Sequence, residues 1–143
     1  MVLNPQQFHM ELLHGTTSNY EDHIKAAGLG GQHGFSPSVY ATHDPALAHY
    51  YADTAADQEG GEPIIIKFKA NPRNLRADYN SFEEPVVAEP YGAPYRSFDE
   101  SKLRSSGDWK NSLRETGSVV HQGKIEPNKI VSIEKVKRNF KGG

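Results

Sequence analysis

Short apolar runs separated by long polar stretches predict a chain of small elements joined by generous loops. Several runs consist of β-branched and aromatic residues bounded by glycine, proline or asparagine, which is typical of strands. The continuous apolar start of one run, Ile64-Ile65-Ile66, favours a strand with neighbours on both sides. The predicted strands are ELLH at 11–14, SVYAT at 38–42, PIIIKFKA at 63–70, LRADY at 75–79 along an edge, SVVHQ at 118–122 and KIVSIEKV at 129–136.

Two segments between the first three strands carry the start and stop signals of helices. Ser18 with Glu21 three residues later forms a capping box, and Gly28 is a natural C-terminal stop. Asp44 followed by proline is typical of an N-cap and a first helical position, and this helix is predicted to end at about Ala56. The first three strands are therefore predicted to alternate with two helices.

The stretch 80–117 breaks this regularity, because prolines, glycines and serines are scattered among charged and aromatic residues without a period. We predict an irregular excursion there, with one short helix near 106–114, and a frayed basic tail at 137–143. A length of 143 residues suits one domain, so residues 1–143 are interpreted as a single unit. The order of elements favours the α+β class, with a split, mixed or antiparallel β-sheet flanked by short helices.

Charge and composition narrow the classes of function. The formal net charge is −2, from 16 basic and 18 acidic residues, which gives no global electrostatic case for nucleic acid or a membrane surface. The chain has no cysteine, so disulfides, thiolate nucleophiles and cysteine-bound zinc are excluded. The first residues lack the pattern of a signal peptide, and no apolar run is long enough to span a bilayer. A cytoplasmic protein that does not contact a membrane is the expectation.

Candidate chemistry lies where the first two strands end. The tripeptide HGT at 14–16 closes the first strand, Tyr40 lies in the second, and Tyr50 and Tyr51 lie in the helix that follows. Rings offered by a strand and by the next helix are suited to enclosing a flat ligand. The seven histidines show no H-E-x-x-H spacing and GLGGQHG lacks the Lys-Ser/Thr ending of a P-loop, so neither a metal site nor a nucleoside triphosphate site is expected.

Taken together, these motifs resemble the ADP-ribosyltransferase superfamily. The resemblance is based on a strand ending in HGT, a capped helix ending in GL, the strand VYAT and the helix DPALAHYYA. The similarity is to the His-Tyr-Glu branch, which includes the poly-ADP-ribose polymerases, the rifampin ADP-ribosyltransferases and the RNA 2′-phosphotransferases. The segment GSVVHQGKIEPNKIVSIEKV is similar to the final strands of small bacterial and phage members, so the resemblance covers residues 11–78 and 117–136.

The resemblance implies NAD as substrate and an ADP-ribosyltransferase-like fold. In the family, the glycine after the histidine reads the nicotinamide carboxamide through its main chain, the histidine binds the adenosine ribose, and two tyrosines enclose the nicotinamide ring. On this sequence those roles fall on Gly15, His14, Tyr40 and Tyr51, with Tyr50 as the alternative to Tyr51 and Thr16 as support for the ribose or the turn.

The catalytic carboxylate of the family is where this sequence departs from the pattern. The glutamate that stabilises the oxocarbenium-like transition state is usually found where Ser118 stands here. Glu115 lies three residues upstream, and Asp78 follows the third motif strand, where some members use an aspartate. Asp78, Glu115 and Ser118 are the candidates for the position nearest the reacting ribose carbon, with His121 and Gln122 as weaker ones.

The implied function is transfer of ADP-ribose from NAD to a macromolecular acceptor, protein or nucleic acid, with release of nicotinamide. Such a protein is toxin- or effector-like, and a host cell into which it is delivered, or in which it is expressed, is one setting. The first alternative is an NAD-dependent RNA or nucleotide 2′-phosphotransferase. The second is a non-catalytic NAD- or ADP-ribose-binding module, and the third an inhibitory interaction module. The first alternative would draw on Arg73, Arg76, Arg96, Arg104, Arg114, His33 and His43.

Overall fold

The computed structural model describes residues 10–30, 38–78 and 109–138 of the chain. These ranges contain six strands and three α-helices, with short 3-10 turns between some of them. In chain order they are β1 (Met10–Thr17), α1 (Glu21–Ala27), β2 (Val39–Thr42), α2 (Pro45–Glu59), β3 (Pro63–Ala70), β4 (Leu75–Ala77), α3 (Trp109–Thr116), β5 (Ser118–His121) and β6 (Ile130–Lys135).

The six strands form one sheet in the order β4-β5-β2-β1-β3-β6, and each neighbouring pair is antiparallel. The junction between β1 and β2 is weak, because among the described residues only Leu13 and Thr42 are paired there. The pairing of β1 with β3 by contrast extends along all eight residues of both strands. The sheet is therefore split into two halves, β4-β5-β2 and β1-β3-β6.

The hydrophobic core lies between these two halves. Its buried members come from both of them, and the rings of Phe68 on β3 and His121 on β5 meet edge to face at 6.1 Å. Helix α1 adds Ile24, which is 1% exposed. The largest buried side chains from the halves are Leu12, Ile64, Ile66 and Phe68 on one side and Leu75 and Val119 on the other. Burial on this scale is the main favourable term for the fold.

Helix α2 is the longest described helix, and its start follows the predicted signals. The Asp44 side chain accepts a hydrogen bond from the N–H of Ala46 at 2.9 Å, and Pro45 occupies the first helical position. The helix extends to Glu59, beyond the predicted end at Ala56. Among the described residues, no helix has the length and apolarity that crossing a bilayer requires.

The capping box predicted before α1 does not form. Thr17 instead caps a 3-10 turn at Ser18–Tyr20, and α1 begins at Glu21 without a side-chain cap. The hydroxyl of Ser18 accepts the N–H of Glu62 at 2.9 Å, so it joins the segment before β3 instead of the helix. Tertiary pairing of β1 with β3 has overridden the local signal.

The α+β class and the split sheet predicted from the sequence are confirmed, and the sheet is antiparallel throughout its described pairs. Strand β3 has a neighbour on each side and β4 is an edge strand, as predicted. The short helix predicted near 106–114 is α3 at 109–116. Residues 79–108, which make up most of the predicted excursion, and residues 139–143 of the tail lie outside the described residues.

Helix α2 crosses β1 so closely at Gly15 that no side chain fits between them. A Cβ at this position would lie 2.2 Å from the carbonyl oxygen of Ala48, 2.6 Å from the nitrogen of Ala52 and 3.1 Å from the Cβ of Tyr51. The first two neighbours are main-chain atoms, which cannot move aside as the end of a flexible side chain does. Glycine is therefore required here by packing, independently of any ligand.

We expect Gly15→Ala to lower the free energy of unfolding by about 2 kcal/mol or more, because α2 must move away from β1. Chemical denaturation of the purified chain measures this. Gly123→Ala is the matched control, since a Cβ at Gly123 meets nothing within 4 Å. Its positive φ of 92° gives the control a cost of about 1 kcal/mol. Equal losses in the two variants would contradict the proposed close approach.

Candidate functional site

The split between β1 and β2 opens beside Gly15, and the main chain of Gly15 faces the opening. Antiparallel ladders alternate between pairs that exchange hydrogen bonds and pairs that exchange none. The N–H of Ser18 donates to the carbonyl of Glu62 at 2.7 Å, on the continued register of β1 and β3. Counting back in steps of two makes Thr16 and His14 the hydrogen-bonded positions, so the N–H and C=O of Gly15 point away from β3, towards β2.

His14 links the two sides of this opening. Its Nδ1 lies 2.7 Å from the carbonyl oxygen of Tyr40, and because a carbonyl only accepts, Nδ1 carries the proton. Burial lowers the pKa of His14 from its ordinary 6.5, while the bond to Tyr40, which favours the charged ring, opposes that effect. The ring is therefore neutral at pH 7, with Nε2 as a hydrogen-bond acceptor.

The predicted tyrosines lie on the two elements next to Gly15, which are β2 and α2. Tyr40 on β2 is 45% exposed, which is high for an aromatic residue in the middle of a strand. On α2, the Cβ of Tyr51 lies beside Gly15, as the close approach described above shows. The ring of Tyr50 meets that of Tyr51 at 5.7 Å, with planes 66° apart. Of the two helix tyrosines, Tyr51 is thus the one whose Cβ is placed against the Gly15 main chain.

Asp78 and Ser118, two of the three predicted catalytic candidates, are hydrogen-bonded to each other. The Ser118 hydroxyl donates to the Asp78 carboxylate at 2.7 Å, and these residues are 0% and 2% exposed. Asp78 continues the register of β4 opposite Ser118 on β5. Thr42 pairs with both Leu13 and Ser118, so Ser118 lies two strand spacings, about 10 Å, from β1. Asp78, one strand further out, lies three spacings, about 14 Å, from β1.

A hydroxyl on α3 joins the main chains of Asp78 and Ser118. The oxygen of Ser112 accepts the N–H of Asp78 at 2.9 Å and donates to the carbonyl of Ser118 at 2.6 Å. Thr116 accepts the N–H of Ser118 at 3.1 Å. The sequence reasoning missed Ser112 and Thr116, because they lie in a stretch without periodicity and are linked to Asp78 only by the folded chain.

The other predicted residues have separate surroundings. Glu115 is half-buried on α3 and forms an ion pair with Arg114 at 3.4 Å. Thr16 is 8% exposed, one residue beyond Gly15 on β1. The position of Glu115 relative to the opening therefore stays a prediction.

Two of the basic residues that a 2′-phosphotransferase would use are bound within their own segments of the described chain. Arg76 donates to the carbonyls of Arg73 and Leu75, and Arg114 contacts Asn111 and Glu115, so both guanidinium groups are bound within their own segments. His43 is exposed. His33, Arg96 and Arg104 lie outside the described residues.

Comparison with solved structures finds chains with a similar fold, and one of them is EcPltA. The chain superimposes on EcPltA with a TM-score of 0.51 and 15% identity, over 89% of this chain and 75% of EcPltA. EcPltA is an ADP-ribosyltransferase toxin subunit. The chain shares the fold of that subunit. At this identity the likeness establishes the fold alone, and no protein-family model and no curated protein matches the sequence.

His14, which is partly buried, and His121, which is buried, predict how stability depends on pH. Burial lowers the pKa of both His14 and His121 from the ordinary 6.5, and hydrogen bonds to carbonyls oppose the effect in each case. As the pH falls through 6.5 the unfolded chain takes up protons that the folded chain refuses, so the free energy of unfolding decreases. Denaturation between pH 7.5 and about 5.5 measures this dependence. The substitutions His14→Gln and His121→Gln should each reduce the slope, and a flat wild-type profile would contradict the prediction.

Proposed function

We propose that this chain is an NAD-dependent mono-ADP-ribosyltransferase that transfers ADP-ribose from NAD to a macromolecular acceptor and releases nicotinamide. The observation that carries the proposal is the opening at the split sheet. There the main-chain groups of Gly15 point towards β2, which carries Tyr40, and the Cβ of Tyr51 lies beside Gly15 on α2. The His14 ring donates to the carbonyl of Tyr40 at the same place. The fold shared with EcPltA supports the same conclusion.

The nicotinamide of NAD binds in this opening. A carboxamide has one acceptor oxygen and an NH₂ donor, so the outward C=O and N–H of Gly15 complement it as a neighbouring strand would. The ring is a flat cation, and an aromatic face attracts it by about 1–2 kcal/mol. Tyr40 on β2 and Tyr51 on α2 offer rings from two sides. The acceptor Nε2 of neutral His14 suits a ribose hydroxyl.

Asp78 supplies the negative charge that the reaction needs. Breaking the bond between nicotinamide and ribose develops positive charge on the ribose, and a carboxylate lowers that barrier. The family places a glutamate on the strand that carries Ser118 here, and Asp78 lies next to that position on β4, bonded to the Ser118 hydroxyl. Compared with the family pattern, the proposed catalytic carboxylate therefore lies on the adjacent strand. The spacing of about 14 Å from β4 to β1 leaves room for a nicotinamide and its ribose.

Labelled NAD, incubated with the purified chain and a cell lysate, tests the activity. Label transferred to protein or nucleic acid is the expected result. Release of nicotinamide without transfer would indicate a glycohydrolase, and phosphate transfer to NAD from 2′-phosphorylated RNA would indicate the phosphotransferase. A rise in melting temperature with NAD but no turnover would indicate a binding module. Lack of both stabilisation and turnover would overturn the proposal and favour an interaction module.

If the nicotinamide lies against the ring of Tyr40, the substitution Tyr40→Ala should weaken the binding of NAD. Loss of one stacking face costs about 1–3 kcal/mol, so the affinity for NAD should fall about tenfold or more. Titration of the purified chain with NAD measures the affinity. Val131→Ala is the matched control, because Val131 is 46% exposed against 45% for Tyr40 and lies on the far edge strand β6. An unchanged affinity for NAD in Tyr40→Ala would contradict the proposed contact between the Tyr40 ring and the nicotinamide.

The role of Asp78 predicts that Asp78→Asn keeps NAD binding and loses turnover. Asparagine still accepts the Ser118 hydroxyl but carries no charge, so we expect kcat to fall about 100-fold or more with little change in melting temperature. Glu115→Gln is the comparison, since Glu115 is the other carboxylate of the prediction. A large loss of turnover in Glu115→Gln, together with normal turnover in Asp78→Asn, would assign the catalytic role to Glu115 instead of Asp78.

A further inference from the structure

A second cavity opens at the other end of the β4–β5 pair, away from Asp78. Its volume is about 220 Å³, and its walls come from the end of β3, the turn before β4, the end of β5 and the segment between β5 and β6. None of the residues that line the NAD opening lines this cavity. The lining residues are Lys69, Asn71, Asn74, His121, Lys124, Ile125, Glu126 and Lys129.

Hydrogen bonds within the chain hold the walls of this cavity in place. The N–H of Gln122 donates to the carbonyl of Asn74 at 2.7 Å, which fixes the turn before β4 against the end of β5. Leu29 and Ile125 exchange two main-chain hydrogen bonds of 2.9 Å, which fix the opposite wall. A ligand therefore meets a preformed pocket, which lowers the entropic cost of binding.

The cavity is basic in a protein that is acidic overall. Three lysines and one glutamate line it, whereas the whole chain has a net charge of −2. Among the residues that the structure describes, the lysines in ion pairs are Lys25 and Lys67, and the three cavity lysines are not among them. Ammonium groups that converge without bound carboxylates create a local positive potential that attracts anions.

The polar side chains of the cavity add both donors and an acceptor. The Oδ1 of Asn71 accepts the N–H of Arg73 at 3.0 Å, which leaves its NH₂ group to donate. His121 is 3% exposed, and its Nδ1 donates to the carbonyl of Gly123 at 3.1 Å. Because burial keeps this ring neutral by lowering its pKa, Nε2 is an acceptor. Lysine and amide donors suit a phosphate, and an acceptor suits a hydroxyl beside it.

We propose that this cavity binds a ribose phosphate, with the phosphate on Lys69, Lys124 and Lys129 and a sugar hydroxyl on His121. The volume corresponds to roughly seven water molecules and lies below the range of drug-sized sites, so it fits a sugar phosphate and not a whole dinucleotide. The same group occurs in a free sugar phosphate and at the phosphorylated end of an RNA. The site does not depend on the NAD opening.

Titration of the full chain with ribose 5-phosphate tests the site, by calorimetry at low salt. We expect saturable binding at one site, weakened about tenfold in Lys129→Met and again in Lys124→Met, because each loses a charge-assisted contact. Lys110→Met is the matched control, since Lys110 lies on α3 and makes the same change in net charge away from the cavity. Asp78→Asn should bind as the wild type does, which separates this site from the proposed NAD chemistry.

Two further ligands decide what the cavity recognises. Inorganic phosphate should bind about tenfold more weakly than ribose 5-phosphate, because it lacks the hydroxyl that meets His121. A 5′-phosphorylated RNA oligonucleotide that binds more tightly than the sugar phosphate identifies an RNA end as the source, and weaker binding identifies the free compound. Equal affinities for inorganic and ribose phosphate, or equal affinities in Lys129→Met and Lys110→Met, would overturn the proposal.

Discussion

The contact between the main chains of β1 and α2 at Gly15 is the constraint on which the candidate site depends. A Cβ there would lie 2.2 Å from a carbonyl oxygen of α2, so the helix can rest on the strand only over a glycine. The same contact places the Cβ of Tyr51 beside Gly15. Because β2 leaves β1 after the pair formed by Leu13 and Thr42, the outward groups of Gly15 face the opening. Packing thus demands glycine at this position, and the proposed contact with nicotinamide would use the main chain of the same residue, so stability and NAD affinity must both be measured to separate the two.

The buried carboxylate of Asp78 is costly for the fold, and its surroundings reduce that cost. An ionised group taken out of water is tolerated when hydrogen bonds replace its hydration. The Ser118 hydroxyl donates to the carboxylate, and the Ser112 oxygen accepts the neighbouring N–H. A threonine or asparagine would satisfy such a network without a charge. The hydrogen bonds alone therefore do not require an aspartate at this position, whereas the proposed catalytic role does.

Much of the fold was predictable because local signals and tertiary packing agree. Asp44 and its proline started α2 where predicted, and the apolar run in β3 correctly indicated neighbours on both sides. The capping box at Ser18 failed because that hydroxyl is used by the segment before β3. The sequence predicts Asp78 and Ser118 as separate candidates for the catalytic position, and only the antiparallel register of β4 and β5 shows that they are in contact. Of the lysines that line the second cavity, Lys69 is distant in sequence from Lys124 and Lys129, so no spacing along the chain indicates that the three share a cavity.

Strand β5 carries one residue of each proposed site and determines how the two relate. Ser118 and His121 are three residues apart, so their side chains lie on opposite faces and are separated by about 10 Å of strand. The strand is paired on both sides, with β2 and β4, and Val119 between the two residues is fully buried. Such a strand cannot tilt freely, and it keeps the cavity at a constant distance from Asp78.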